Sequence, residues 1–426
     1  MKRWLYILAG AIVLVGLAGC SGAEVTAQVA KSEKPRNTSP QSSQEDLATL
    51  VRGNTDFALS LYRSLSSTDG NLFFSPLSIS EAMAMAWAGA KGETETDIAR
   101  AMRYLLPQER LHPALNRLDL ALASRGQGAK GKDGEGFRLH LVNAVWGQQG
   151  YKFASQYLDT LATNYGAGLR LVDFIKQPES ARVLINEWVE AQTEERIKEL
   201  IPAGSINSLT RVVLTNAVYF NAAWLQPFQK SATAPMSFVR LNKSEVSVPM
   251  MKQTAPFRYA EGSSYQAAEL LYDGRELSMV VILPKAGSFN EFEKSLDGQT
   301  VKTILDGLKT REVALTMPKF EFETSLGLKP ALTALGMGVA FTDSADFSGI
   351  NGARDLLIQD VLHKAFVSVD EEGTEAAAAT AVIVGTTSIP TDVAEMTMNR
   401  PFFFFIRDNA TGAITFIGRV NDPSAE

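Results

Sequence analysis

The sequence predicts one large α+β domain running from Leu47 to about Pro423. Three observations predict it. Helix-like and strand-like patterns mix without the regular βαβ alternation of a parallel-sheet protein. No internal repeat is present, and no Pro/Gly/Ser-rich linker divides residues 47–423. Several strand candidates are apolar at both alternating positions, as strands covered on both faces should be.

In chain order, a helix is predicted over Leu47–Leu65, with Leu47, Leu50, Val51, Phe57, Ala58 and Leu61 as its apolar positions. After NLFFSPLS comes ISEAMAMAWAGA, a helix apolar nearly all round, which belongs in the middle of a protein. The loop Ser124–Gly136 satisfies GxGxxG at Gly126, Gly128 and Gly131, yet a helix precedes it and more glycine follows. A dinucleotide site needs a strand before and a helix after, so this loop reads as a surface connection. A helix over Glu179–Ile197 carries Val183, Leu184, Trp188 and Val189 on one side and stops before Pro202. Strands are predicted at Arg138–Val145, Arg211–Phe220, Leu277–Leu283, Val313–Met317, Ala365–Val369, Pro401–Ile406 and Ala413–Ile417.

Composition narrows the function classes. The 426 residues carry 41 Lys+Arg and 47 Asp+Glu, a formal net charge of −6, so no overall basic footprint for nucleic acid exists. Basic residues Arg100, Arg103, Arg110, Arg117 and Arg125 are spaced like a solvated face. One Cys excludes an intrachain disulfide and a CxxC zinc site. The three histidines, His112, His140 and His363, form no H-E-x-x-H, and no GxSxG elbow appears. No cofactor or metal is expected, and neither is a catalytic residue.

The amino terminus has its own pattern. Lys2 and Arg3 precede an apolar run from Trp4 to Gly19, too short for a comfortable membrane span and typical of a secretory signal. Leu17-Ala18-Gly19-Cys20 resembles the lipobox of bacterial lipoproteins, in which the cysteine is lipidated and becomes the first residue. Residues 1–19 are therefore expected to be removed, and Cys20 to carry a lipid that anchors a secreted protein to the bacterial membrane. The outer membrane or cell surface is the expected location. Residues 20–46 lack aromatics and nearly all large aliphatics, and are expected to form a flexible tether. Residues 424–426 form a short tail.

The informative stretch is 371–399, EEGTEAAAATAVIVGTTSIPTDVAEMTMN. It begins like a helix, continues into a β-branched run, and lies between two core-like strands. In an extended conformation Thr374, Ala376, Ala378, Thr380, Val382 and Val384 share one face, all small or β-branched. Glu375 falls on the other face. No proline occurs from 374 to 389, which keeps a central strand position open, and no charge lies between Glu375 and Asp392. The segment can be read both as a loop and as a strand.

Glu371-Glu372-Gly373-Thr374-Glu375-Ala376-Ala377-Ala378-Ala379-Thr380 resembles the hinge of inhibitory serpins. The resemblance extends to blocks 71–98, 214–228, 317–337, 341–350, 363–380 and 400–423, in the family's order, and so to essentially all of residues 47–423. It implies the serpin fold, three β-sheets with about nine helices, an exposed reactive-centre loop at 371–399 and a metastable native state. It implies inhibition of serine endopeptidases by a 1:1 covalent complex. The target cleaves the loop, and the loop then inserts as a central strand, dragging the acyl-enzyme with it. About 14 residues at ~3.3 Å each give a displacement of roughly 45 Å.

Family spacing places the reactive bond at Thr387-Ser388, with Thr386 as the alternative position. Between Gly373 and Asn399 there is no Lys, Arg, Phe, Tyr or Trp, so trypsin-like and chymotrypsin-like pockets find nothing to grip. Elastase-like or subtilisin-like proteases are the expected targets, with papain-like cysteine proteases a further class, acting on a monomer. By resemblance Ser75, Ser78, Asn216 and His363 form a polar shutter beneath the opening point of the sheet. Trp224, Lys319 and Glu371 form the breach above it. Ala222, where glycine is commoner, and Arg400, where histidine often stands, depart from the family pattern. A non-inhibitory carrier and a secreted hydrolase are the competing readings; the uncharged hinge after Glu375 argues against the first, and the missing nucleophile motif against the second.

Overall fold

A computed structural model describes residues 27–67, 70–131, 133–374 and 392–425. Strand β1 (Gln28–Ala30) opens the described chain, followed by α1 (Gln44–Leu65), β2 (Leu72–Phe74), α2 (Pro76–Trp87), α3 (Gly92–Ala101) and α4 (Gln108–Ala123). Next come β3 (Arg138–Gln148), α5 (Ser155–Tyr165), β4 (Leu169–Val172), α6 (Pro178–Gln192) and β5 (Val212–Ala223). The strands β6 (Ala234–Val239), β7 (Glu245–Glu261), β8 (Tyr265–Leu271) and β9 (Leu277–Pro284) lead to α7 (Phe289–Ser295) and α8 (Gly298–Gly307). Strands β10 (Lys309–Pro318) and β11 (Phe320–Gly327), helices α9 (Lys329–Leu332) and α10 (Ser348–Asn351), and strand β12 (Val361–Val369) follow. The chain closes with β13 (Gly373–Thr374), β14 (Ala394–Thr397), β15 (Phe402–Asp408) and β16 (Ile414–Val420).

The strands build a large sheet in the order β1-β4-β3-β5-β13-β12-β11 and a second network in the order β14-β10-β7-β8-β9-β15-β16-β2, with β6 on β7. The three sheets implied by resemblance appear as two hydrogen-bonded networks because β7, 17 residues long, belongs to two of them. Its first part pairs with β6 and its last part with β8. Between the sheets lies an apolar core that includes Phe220, Ala222, Tyr272, Phe320 and Phe404. A second cluster seats α6 on the other face of the large sheet through Ile185 and Val189. With both faces covered, β5 is buried from Val212 to Ala222, which explains why it is apolar on both alternating faces apart from Thr215, Asn216 and Asn221.

Two helix starts show how local chemistry sets these elements. Ser43 caps α1 by accepting from the Asp46 N–H while the Asp46 carboxylate accepts from the Ser43 N–H. That box moves the helix start upstream of Leu47. Ser75 caps α2, with Pro76 in its first turn, and all twelve residues of α2 are buried.

The expected tether at 20–46 needs correction. From Ala27 onward the segment is docked: β1 pairs antiparallel with β4 through Gln28–Leu171, Val29–Arg170 and Ala30–Leu169. Beyond it Ser32 and Lys34 reach Asp159 of α5 at 2.5 and 2.7 Å. Arg36 bonds Asn116 at 2.9 Å and also Asp119, both on α4. Composition carries no sign of this docking, because the arm is held by backbone pairing and side-chain ion pairs, which need no apolar burial. The basic residues of 100–125 are likewise engaged. Arg110 pairs with Asp46, Arg117 donates to the Ser42 carbonyl at 2.8 Å, and Arg125 bonds Asp408 at 2.6 Å.

Candidate functional site

The large sheet has a seam between β5 and β12. These strands run parallel and pair from Val361–Leu214 to Ala365–Val218. Above that point β13 enters between them, with Thr374 opposite both Val369 and Ala222, and Gly373 opposite Ala223. The entry is tight. A Cβ on Gly373 would lie 2.1 Å from the Ala222 carbonyl oxygen and 2.8 Å from Ala223 Cα, so only glycine fits against β5. The Thr374 side chain is 2% exposed and its hydroxyl shares a 2.8 Å hydrogen bond with the Tyr272 hydroxyl.

This revises the extent of the loop. Residues 371–374 are buried, and Ala394–Thr397 form β14, hydrogen-bonded parallel to β10. Both ends of the 371–399 segment are therefore structured, because backbone groups at each end find partners in a sheet. Glu375, Ala376, Ala377, Ala378, Ala379, Thr380, Thr386, Thr387 and Ser388 lie outside the described residues, as does Cys20.

Around β13 the chain is clamped from three directions. Trp224 stacks on Tyr272 with centroids 4.6 Å apart and planes 10° apart. Its indole N–H donates to the Asp370 carbonyl at 2.9 Å, and its backbone N–H to the Glu372 carbonyl at 2.8 Å. Glu371 accepts from Lys319 at 2.8 Å and from the Thr233 hydroxyl at 2.7 Å. Burial alone would raise the Glu371 pKa, but these donors outweigh it and hold the carboxyl below its usual value. Glu372 pairs with Lys230 at 2.7 Å.

Lower on the seam, the four polar residues singled out in the sequence come together. Asn216 and His363 are register partners across β5 and β12. The Ser75 N–H donates to His363 Nε2 at 3.2 Å, which leaves Nδ1–H to donate to Asn216 Oδ1. Asn216 Nδ2 donates to Ser78 Oγ at 2.5 Å and to Asn143 Oδ1. Burial pulls the His363 pKa down to about 3, so the ring is neutral at pH 7.

Sequence reasoning missed Asn143, Glu81, Tyr272, Lys230 and Thr233. Asn143 Nδ2 donates to Glu81 Oε2 at 3.1 Å, extending the polar chain into α2. Burial, reinforced by the Asp119 charge, drives the Glu81 carboxyl well above its usual pKa. Two of these carried a signal: Asn143 is polar within an apolar strand, and Glu81 is the lone charge in an apolar helix. Tyr272, Lys230 and Thr233 carried none, since only the tertiary fold brings them to β13.

A central strand wedged into the top of a seam, with a neutral polar network beneath it, matches known proteins throughout. The family model described as Serpin (serine protease inhibitor) matches residues 52–423. The chain is a serpin. An uncharacterized serpin-like protein of Thermococcus kodakarensis is 38% identical to it over 439 residues, covering 99% of each chain. The human leukocyte elastase inhibitor is 38% identical over 387 residues, covering 88% of this chain and 99% of its own. Among solved structures, native tengpin, a thermophilic serpin, superposes with a TM-score of 0.82 at 29% identity, covering 93% of this chain and 100% of tengpin. Membership implies protease inhibition, and an inhibitor acts on a protease as its partner. In this serpin the strand that enters the seam is the start of the 371–399 segment.

Proposed function

We propose that this serpin traps serine endopeptidases of elastase-like or subtilisin-like specificity, with papain-like cysteine proteases a further class, as 1:1 covalent complexes. Cleavage at Thr387-Ser388, with Thr386 the alternative, frees the segment after Thr374 to continue β13 down the seam. The observation that carries this reading is the placement of Gly373 and Thr374 as a two-residue strand between β5 and β12. Extension requires the five β5–β12 register pairs below it to separate, from Ala365–Val218 down to Val361–Leu214. The Asn216–His363 contact lies within that stretch, so its rupture and re-formation gate insertion. Thr374 faces the inter-sheet core, and residues of its parity, Ala376 to Val384, are small or β-branched enough to follow it there.

The loop's lack of basic and aromatic residues supports small-pocket targets, and several relatives of this chain are named leukocyte elastase inhibitor. We further propose that the protein acts as a monomer, exported and held at the bacterial membrane by lipid on Cys20.

Incubation with pancreatic elastase and with subtilisin tests the reading. An SDS-stable complex should form with at least one of them, and mass spectrometry should find a released carboxy-terminal fragment beginning at Ser388 or Thr387. Thr374→Arg places a cation against the Tyr272 hydroxyl and should convert trapping into plain cleavage, since an unpaired buried charge costs several kcal/mol. Cleavage of the unaltered chain without any complex would refute inhibition of these enzymes.

A further inference from the structure

Six large hydrophobic side chains are strongly exposed among the described residues: Val29, Leu105, Ile175, Val183, Leu209 and Leu241. Four of them gather at one end of the large sheet. Register fixes which end. Gly147 lies opposite both Leu171 and Val212, and Gln28 lies opposite Leu171, so residue 27 and the start of β5 share this pole. Gly373 sits at the other end, opposite Ala223. Ile175 follows β4 and its N–H donates to Gln148 Oε1 at 3.1 Å, while the Gln148 N–H donates to the Arg211 carbonyl at 3.0 Å. These bonds tie the Ile175 and Leu209 segments to one strand end. Val183 lies in the first half of α6, whose Ser180, Ala181 and Leu184 line a cavity of about 220 Å³ together with Ala27 and Gln28. Leu209, at 77% exposure, is the most exposed of the set.

The chain upstream of this pole is the apolar run Trp4–Gly19 and Cys20. From Cys20 to Ala27 is seven residues, at most about 25 Å of chain. Whatever holds that segment in a bilayer holds this end of the sheet beside it. Two or three acyl chains on Cys20 would hold the segment firmly, so the face needs only weak affinity to rest on a surface it cannot leave. Exposed Lys176 adjoins Ile175 and exposed Glu179 follows it, so the rim carries both signs and the apolar set itself is what a lipid surface would take.

We infer that the pole formed by Val29, Ile175, Val183 and Leu209 is a membrane-docking face, which enters the interfacial layer of the bilayer that holds the amino-terminal segment. The hinge end then points away from the surface, at the far end of a 12-residue β5, about 36 Å distant. The inference rests on membrane attachment through the Cys20 segment, while the docking contact itself is independent of whether lipid or the apolar run is the anchor. Loop insertion would deliver a trapped protease to this same pole, so trapping lifts the face off the lipid.

The test uses the mature chain, residues 20–426 with Cys20→Ser and an amino-terminal hexahistidine, held by nickel-chelating lipid (attachment verified by flotation) on phosphatidylcholine vesicles with 20% phosphatidylglycerol (about one lipid in five, enough for the surface potential of an anionic leaflet) and nitroxide-labelled headgroups. A dye is attached at Ser208→Cys or, in a second preparation, at Lys130→Cys near the opposite pole. Quenching should be severalfold stronger at 208 than at 130, and the Ile175→Ser/Val183→Ser/Leu209→Ser variant should lower it to the level at 130. All three positions are exposed, so the fold is retained, as an unchanged melting temperature verifies. Equal quenching at the two poles, or quenching at 208 that the triple variant leaves intact, overturns the docking face. Intact mass of the unaltered membrane-extracted protein decides the lipid on Cys20 separately. Absence of lipid with strong quenching at 208 overturns the lipoprotein reading and supports the face.

Discussion

Replacing Gly373 by alanine puts a methyl group 2.1 Å from the Ala222 carbonyl oxygen, well over an ångström inside van der Waals contact. The obstacle is β5 backbone, held on its far side by β3, so it cannot swing aside as a flexible side chain would. Either the sheet strains or β13 leaves the seam. Overpacking costs roughly 1–3 kcal/mol. If β13 leaves instead, Thr374 abandons the Tyr272 hydroxyl, and an unsatisfied buried hydroxyl costs about 1–3 kcal/mol. Either way a native-state penalty of about 2 kcal/mol follows, worth roughly thirtyfold in unfolding rate at ~1.4 kcal/mol per tenfold. The rate is the proper observable, because a serpin's native state is held kinetically. It can be followed by tryptophan emission in a Trp87→Phe/Trp146→Phe/Trp188→Phe background that leaves Trp224, stacked on Tyr272 beside the clash, as the reporter in the folded domain. The same methyl group would meet the same carbonyl in the extended strand, so the ratio of complex to cleaved product with elastase should also fall. Unfolding and partition ratios indistinguishable from those of the unaltered chain would show that Gly373 is not gripped by β5.

Acidification should loosen the shutter. The His363 pKa lies near 3 in the fold against an unfolded value near 6.5. The unfolded chain therefore binds the proton first, and the stability from the neutral ring is complete above about pH 6.5 and is lost progressively as pH falls toward 3. His363→Gln should be less stable at pH 7 but should lose less between pH 7 and pH 5, as unfolding rates would report; an unchanged pH slope would contradict this. Glu371, whose pKa is lowered in the fold, contributes stability above about pH 4.5 that disappears below it. Glu371→Gln should cost about 1 kcal/mol at pH 7, since Lys319 is partly exposed and can turn to solvent, and should remove the acid-dependent part of hinge release measured by Trp224 emission. Arg36→Ala removes two side-chain bonds to α4 and should cost roughly 1–3 kcal/mol. Limited trypsin digestion after Lys31 should then accelerate; an unchanged cleavage rate would show that the arm is held without Arg36.

How much of the fold could be read from sequence varied with the kind of interaction. The helices at α1, α2 and α6 were recognised within a few residues, because periodic burial leaves a periodic pattern. The polar residues Ser75, Ser78, Asn216 and His363 were named because family blocks surround them, and the structure brings them to one point on the seam. The arm at 27–37 looks like a tether in sequence, since backbone pairing to β4 and ion pairs to α4 and α5 leave no hydrophobic signature. Tyr272 was invisible because it meets Thr374 across a sequence separation of 102 residues.

By itself the sequence determined the chemistry of the segment after Glu375. A run of small or β-branched, uncharged, proline-free residues from Ala376 to Ser388 can be either loop or strand, because nothing in those side chains forbids burial or solvation. Tertiary structure decided where that ambiguity is put to use. It set Gly373 against a carbonyl that tolerates no side chain, aligned Asn216 with His363 across the β5–β12 seam, and brought residue 27 to the opposite pole. Such placements arise from register between distant segments, and register is fixed by the packing of whole sheets, which no local stretch of sequence encodes.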